Sequence, residues 1–261
     1  MPPSTSQSKL EALVTLCHAL GSENHDWAIL GEGNASIIAD EETFYVKASG
    51  SRMGTLTEQQ IVRLASGPLL EVLEIDRQLL DSQTSDLLKL SRVEESELQP
   101  SVEALIHAYL LTLEGITAIG HTHVLTINSL LCSVDGWAAV TSGGRLFPDE
   151  IVVCGAAPCT VPYTDPGLPL ARAVRFAVLK YLDEYGMPPK TIYLQNHGFI
   201  ALGRTTDEVV AITAMAEKTA KILVGAFSCG GPRYMSAEDV ARIATRPDEK
   251  YRQKALGLTA D

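Results

Sequence analysis

From residue 10 to residue 227, segments of period-two alternation and segments of helical period follow one another with no internal repeat, heptad run or obvious linker. That interleaving points to one α/β domain over residues 1–261, because two independent folds would be cramped in a chain of 261 residues. Leu10, Leu13, Leu16, Cys17 and Leu20 fall at helical spacing, and Ser36–Ala39 with Thr43–Val46 read as a hairpin joined by Asp40 to Glu42. Thr57 followed by Gln60 predicts a capped short helix through Leu64. The leucine-rich acidic stretch 69–99 has no clean periodicity, and Ser101 starts a helix ending near Gly115. Ile116–His123 alternates as a strand, and 151–161 reads as a strand pair or a bent strand broken by Gly155 and Pro158. Residues 168–185 resume helical spacing, Thr191–Gln195 and Phe199–Leu202 are strands about a turn at 196–198, and Thr206–Phe227 is a long amphipathic helix. Residues 1–8 are expected to be disordered and 232–261 to form a C-terminal tail.

Hydrophobic residues make up 46% of the chain and charged residues 20%, enough apolar material for a packed core. A formal charge of −11 disfavours a nucleic-acid partner but permits an anionic small substrate, which answers to local donors. Cys17, Cys132, Cys154, Cys159 and Cys229 are scattered without a CxxC pair, so a disulfide framework is not expected. Cys132, Cys154 and Cys159, in apolar stretches, read as small core residues. No segment reaches the roughly 18 apolar residues of a membrane span. A soluble, cytoplasmic protein without a membrane partner is the expectation.

The chemistry concentrates in Gly120-His121-Thr122-His123 at a strand end, where period two points His121 and His123 at one spot. Asn196-His197-Gly198, at a strand-to-turn junction, can supply a third imidazole. Two readings stand on spacing alone: a three-histidine metal site, or hydrogen-bonded core histidines. Glu103, in the first turn of a helix leading into that strand, is either a metal ligand or general base, or a carboxylate favoured by the helix dipole. His107, four residues on, reads as a packing histidine. Gly33, Asn34, Ser49, Gly50 and Ser101 are small loop donors of the kind that bind phosphate, or plain turn residues. Lys47 and Arg52 flank one of these loops, as added charge or as solvated surface. Gly143-Gly144 lies outside any GxGxxG or Walker pattern, which sets nucleotide binding aside.

Taken in order, GEGNAS at 31–36, KASGS at 47–51, PSVE at 100–103, HTH at 121–123 and QNHG at 195–198 resemble the motifs of the class II aldolase/adducin superfamily, whose members include zinc-dependent fuculose-1-phosphate and rhamnulose-1-phosphate aldolases. The resemblance implies a class II aldolase/adducin-like α/β fold with a central, mainly antiparallel sheet covered by helices on both faces. It implies Zn2+, or another divalent ion such as Mn2+ or Co2+, on His121, His123 and His197, with Glu103 as acid/base. It makes Gly33, Asn34, Ser49, Gly50 and Ser101 a phosphate cradle for a phosphorylated sugar. The implied reaction joins dihydroxyacetone phosphate to an aldehyde, or cleaves the ketose 1-phosphate, through a zinc-stabilised enediolate. A cyclic homotetramer with active sites at subunit interfaces is implied as well. This chain has Ser101-Val102 where the fuculose-type enzymes have two serines, and Phe147-Pro148-Asp149-Glu150 where they carry an acid tyrosine, leaving Tyr234 and Tyr251 as tail candidates. Pentulose-phosphate 4-epimerases and sugar-acid phosphate decarboxylases of the same superfamily remain alternatives, as does a non-catalytic adducin-like interaction domain, although such domains lack the histidines present here.

Overall fold

Short runs rich in β-branched and aromatic residues pair into one sheet in the computed structural model, which describes residues 5–75, 79–142 and 144–247. The strands are β1 (Asn34–Ile38), β2 (Thr43–Lys47), β3 (Ile61–Ala65), β4 (Ala118–Thr122), β5 (Cys159–Val161), β6 (Thr191–Leu194) and β7 (Gly198–Gly203). Their order is β3-β2-β1-β4-β7-β6-β5. All neighbours run antiparallel except β5 and β6.

Helices cover both faces. α2 (Ser66–Glu74), α4 (Ala104–Leu110) and α8 (Leu168–Tyr185) pack on the face that presents Phe44, Val46, Ile119 and Ile200. α1 (Thr5–Leu20), α5 (Leu125–Leu131) and α9 (Thr206–Ser228) pack on the face of Ala35, Ala118, Phe199 and Ala201. The described residues also form α3 (Asp81–Leu90), α6 (Val134–Ser142), α7 (Pro148–Cys154) and α10 (Ala237–Thr245). None of the helices is long and apolar enough to cross a membrane.

The alternation along β4 sets the position of the candidate site. Ala118 faces α1 and α9, Ile119 faces α4 and α8, and Gly120 returns to the first side. A Cβ on Gly120 would stand 2.7 Å from both Leu20 Cδ1 and Val209 Cγ1, so glycine there lets α1 and α9 close on the sheet. His121 then falls on the α4 side, opposite Asn34 of β1 and Ile200 of β7.

Four sequence expectations are corrected. Thr57 and Gln60 do form a capped turn, with the Gln60 side chain accepting from Thr57 N at 3.0 Å, but it is a 3-10 turn over Glu58–Gln60. From Ile61 the burial alternates with period two, and the chain continues as β3 rather than helix. Residues 151–154 belong to helix α7, because Pro148 at its start and Asp149 and Glu150 in its first turn nucleate a helix that outweighs the β-branched Ile151, Val152 and Val153. Gly155, at φ 82°, ends it before β5. Residues 5–8 are helical in α1, while 1–4 lie outside the described residues. Cys132 is exposed at the end of α5, whereas Cys17, Cys154 and Cys159 are buried.

Replacing Gly120 by valine forces a branched side chain between Leu20 and Val209. Overpacking of this kind costs about 1–3 kcal/mol. Urea unfolding of Gly120→Val is expected to show that loss, and an unchanged midpoint would contradict the packing described.

Candidate metal centre

His121 is the last residue but one of β4, His123 follows the strand, and His197 sits in the turn between β6 and β7. That turn is tight: His197 N donates to Leu194 O at 3.2 Å, and Asn196 takes φ 53°, a left-handed conformation that asparagine tolerates. The three rings meet nearly edge to face, with centroids 5.0, 5.1 and 5.3 Å apart. One nitrogen from each lies within 4.8 Å of the others.

The outer nitrogens decide what the inner ones can do. His121 Nδ1 donates to Phe199 O at 3.1 Å, and His123 Nδ1 donates to Glu32 Oε2 at 3.2 Å. Each ring then carries a lone pair on Nε2, and these two nitrogens face each other at 3.2 Å. Two lone pairs at that separation repel unless a proton or a cation lies between them. Burial pushes His121 down to about 3, which keeps it neutral and ready to ligate. His197 Nδ1 is buried with no hydrogen-bond partner among the described residues. The donor set therefore fits a divalent cation such as zinc, through one imidazole nitrogen from each of the three histidines.

Glu103 completes the cluster as the N-cap residue of α4. Its Oε1 lies 3.1 Å from His197 Nε2 and its Oε2 3.5 Å from His121 Nε2. Burial alone would raise the Glu103 carboxyl, but the neighbouring imidazoles and the Asn34 amide overcome it and hold the group below the usual carboxylate range.

Behind the carboxylate runs a buried chain of hydrogen bonds whose direction can be deduced. Asn34 Nδ2 donates to Glu103 Oε2 at 2.6 Å, so Asn34 Oδ1 is the end that accepts from His107 Nε2 at 2.5 Å. His107 Nδ1 is then an acceptor, and Ser36 Oγ donates to it at 2.6 Å. Burial pushes His107 down to about 4, consistent with a neutral ring. His107 is the packing histidine that was expected, but it also orients Asn34. The signals were present in the sequence as the four-residue step from Glu103 to His107 and the two-residue step from Asn34 to Ser36.

The loops assigned to phosphate come together from three segments. Ser49 N donates to Gln99 O at 2.8 Å and Ala48 bridges to Pro100, which sets the exposed Ser49 and Gly50 beside Ser101. Ser101 Oγ accepts from Glu103 N at 3.3 Å. Gly33 takes φ 69° and Gly50 φ 77°. Lys47 is neither solvated nor free: it is 2% exposed, and Nζ donates to Ser51 O at 2.7 Å, Ala48 O at 3.3 Å and Gly31 O at 3.4 Å. It ties the 31–33 turn to the 48–51 loop. Arg52 is exposed. Tyr234 donates its hydroxyl to Ala139 O at 3.2 Å, and Tyr251 lies outside the described residues.

Because His107 titrates near 4 when folded and near 6.5 as a free side chain, the unfolded state binds more protons between these values. Stability is expected to be full above pH 6.5 and to fall as pH drops towards 4. At 1.36 kcal/mol per pH unit the loss is about 3 kcal/mol. Urea unfolding of the metal-free protein at pH 7 and pH 4.5 should show it, and His107→Gln should flatten the dependence. Equal slopes in the two proteins would refute the assignment.

The family described as Class II Aldolase and Adducin N-terminal domain matches residues 11–224. The chain is 24% identical, over 95% of its length, to the uncharacterized oxidoreductase YuxG of Bacillus subtilis, and spans 34% of that longer protein. It is 22% identical to the L-fuculose phosphate aldolase of Methanococcus maripaludis, over 82% of this chain and 94% of the relative. In structure it is similar to YgbL of Escherichia coli, a putative aldolase/epimerase/decarboxylase, with TM-score 0.65 and 20% identity over 93% of this chain and all (100%) of the other. With its mainly antiparallel sheet clad by helices on both faces, the chain belongs to the class II aldolase and adducin N-terminal domain family.

Proposed function

We propose that this protein is a metal-dependent lyase that joins dihydroxyacetone phosphate to an aldehyde, or cleaves the corresponding ketose 1-phosphate. The observation that carries the reading is the meeting of three imidazoles beside a buried carboxylate. His121, His123 and His197 would hold a divalent ion, zinc first and Mn2+ or Co2+ as alternatives, which would supply Lewis-acid polarisation of the substrate.

Glu103 takes the proton from the carbon beside the carbonyl. Asn34 holds its Oε2, and Oε1 on the His197 side is the oxygen that receives the proton. A carboxyl held so low is a weak base, so catalysis requires substrate to draw Glu103 away from the imidazoles, with Asn34 still on Oε2, and so raise its basicity. Gly33, Ser49, Gly50 and Ser101 offer backbone N–H groups and hydroxyls to the phosphate. Asn34 joins them with the one amide hydrogen left after Glu103 is served. Tyr234 is already committed to Ala139, so it does not act within its own chain as the acid for the aldehyde oxygen. The reading includes a cytoplasmic homotetramer with sites at subunit interfaces, which sedimentation at the monomer mass would refute.

The relatives carry names of more than one reaction, and the same imidazoles and carboxylate serve an epimerase or a decarboxylase equally. The test is dihydroxyacetone phosphate in deuterated water with the zinc-loaded protein, followed by NMR. Loss of one C–H signal is expected with wild type. Glu103→Gln is expected to slow that loss by about 10^2–10^4-fold while zinc stays bound. No exchange with zinc bound would turn the assignment to 4-epimerase or decarboxylase. A protein that holds no metal would be a non-catalytic interaction domain.

A further inference from the structure

The three imidazoles are not held alike. His121 Nδ1 has a neutral backbone carbonyl at 3.1 Å, and His197 Nδ1 has no partner among the described residues. His123 alone of the three has a carboxylate on its outer nitrogen, Glu32 Oε2 at 3.2 Å. The other oxygen of Glu32 accepts from Ile29 N at 2.8 Å, so one side chain ties a turn to a ring far away in sequence. The turn is a bent one. Leu30 sits at φ 51°, where a leucine costs about 1–3 kcal/mol, and Gly33 sits at φ 69°. The same segment is fastened to His123 a second time, because His123 N donates to Trp27 O at 2.8 Å. A left-handed leucine kept in a short turn, with both Glu32 oxygens engaged, describes a segment built to present a carboxylate to His123.

We propose that Glu32 is a positioning residue for His123. It fixes the Nδ1–H tautomer, aims Nε2 inward and, as an ionised acceptor, makes His123 a stronger electron-pair donor than its two neighbours. Its effect is on how tightly a divalent cation is held. The inference rests on the proposed three-histidine metal site and adds a residue outside the three ligands and Glu103.

A glutamine at 32 has one acceptor oxygen, for which Ile29 N–H and His123 Nδ1–H compete. An aspartate keeps the charge but draws the carboxylate back by one methylene. The experiment is zinc affinity of the full chain, by competition with a chromogenic chelator, for wild type, Glu32→Gln, Glu32→Asp, His123→Ala and the Glu32→Gln/His123→Ala double variant. Outer partners of this kind are worth about 10–100-fold in metal affinity, and that loss is expected for Glu32→Gln. In the His123→Ala background Glu32→Gln is expected to change nothing further, because the ring it acts through is gone. Wild type that binds zinc beside a Glu32→Gln protein of equal affinity overturns the proposal. So does a loss that persists in the His123→Ala background, which would mark Glu32 as a support of the turn alone. Should Glu32→Gln not fold, Glu32→Asp decides in its place, with unchanged affinity overturning the proposal. Wild type that takes up no zinc overturns the metal reading itself.

Discussion

Gly198 has no side chain, and the cluster of imidazoles depends on it. A Cβ there would stand 2.7 Å from His123 Cδ2, 2.7 Å from Thr122 O and 2.9 Å from His121 Cε1. Any other residue at the first position of β7 would push the end of β4 away, and His197, one residue earlier, would lose its neighbours. Gly33 plays the same part on the other flank of β4, where a Cβ would meet His121 O at 2.7 Å. Two glycines therefore let three backbone segments crowd around two histidines, and the closeness of the rings is a property of the backbone first.

That crowding would be costly if the polar groups inside it were left to choose their own partners. Asn34, Ser36, His107 and His121 are all 4% exposed or less, and a buried donor or acceptor without a partner costs about 1–3 kcal/mol. The chain from Ser36 through His107 and Asn34 to Glu103 avoids that cost by running in one direction. If the Asn34 amide were reversed, its oxygen would face the carboxylate and its NH2 would face the Nε2–H of His107. Two repulsive contacts would replace two hydrogen bonds. One carboxylate lone pair is thus set by a serine on the neighbouring strand, at a distance no direct contact could reach.

How much of this was legible in the sequence depends on whether the signal was local. The strand that carries His121 and leads into His123, the turn at 196–198 and the long helix α9 were legible because each has its own periodicity or glycine. The five motifs in order identified the family and the mainly antiparallel sheet. Two segments were misread because a local signal pulled against the fold: the Thr57–Gln60 cap suggested a helix where 61–65 is a strand, and β-branching suggested a strand where 151–154 is helical. The helices α2, α3, α5 and α6 were not legible because each is short, between 7 and 10 residues, and offers too few apolar positions to display a helical period. Within the site, the three clustered histidines and Glu103 stand in motifs, whereas the partners of the outer nitrogens do not. Glu32, the Phe199 carbonyl and the burial of Lys47 become visible only once the loops are folded against one another.

Almost every contact that makes the site spans a long stretch of chain. Glu32 and His123 are 91 residues apart, and His121 and Phe199 are 78 apart. Pairings of this length come late in folding, since the loop they close must be ordered before any contact rewards it. Synthesis adds its own order, because β1 and β4 leave the ribosome well before β7 exists. Until His197 arrives, the end of β4 has a bare edge, and two of the three rings lie beside open backbone. The chain must keep that edge from pairing with another molecule for as long as it takes to make its last strand.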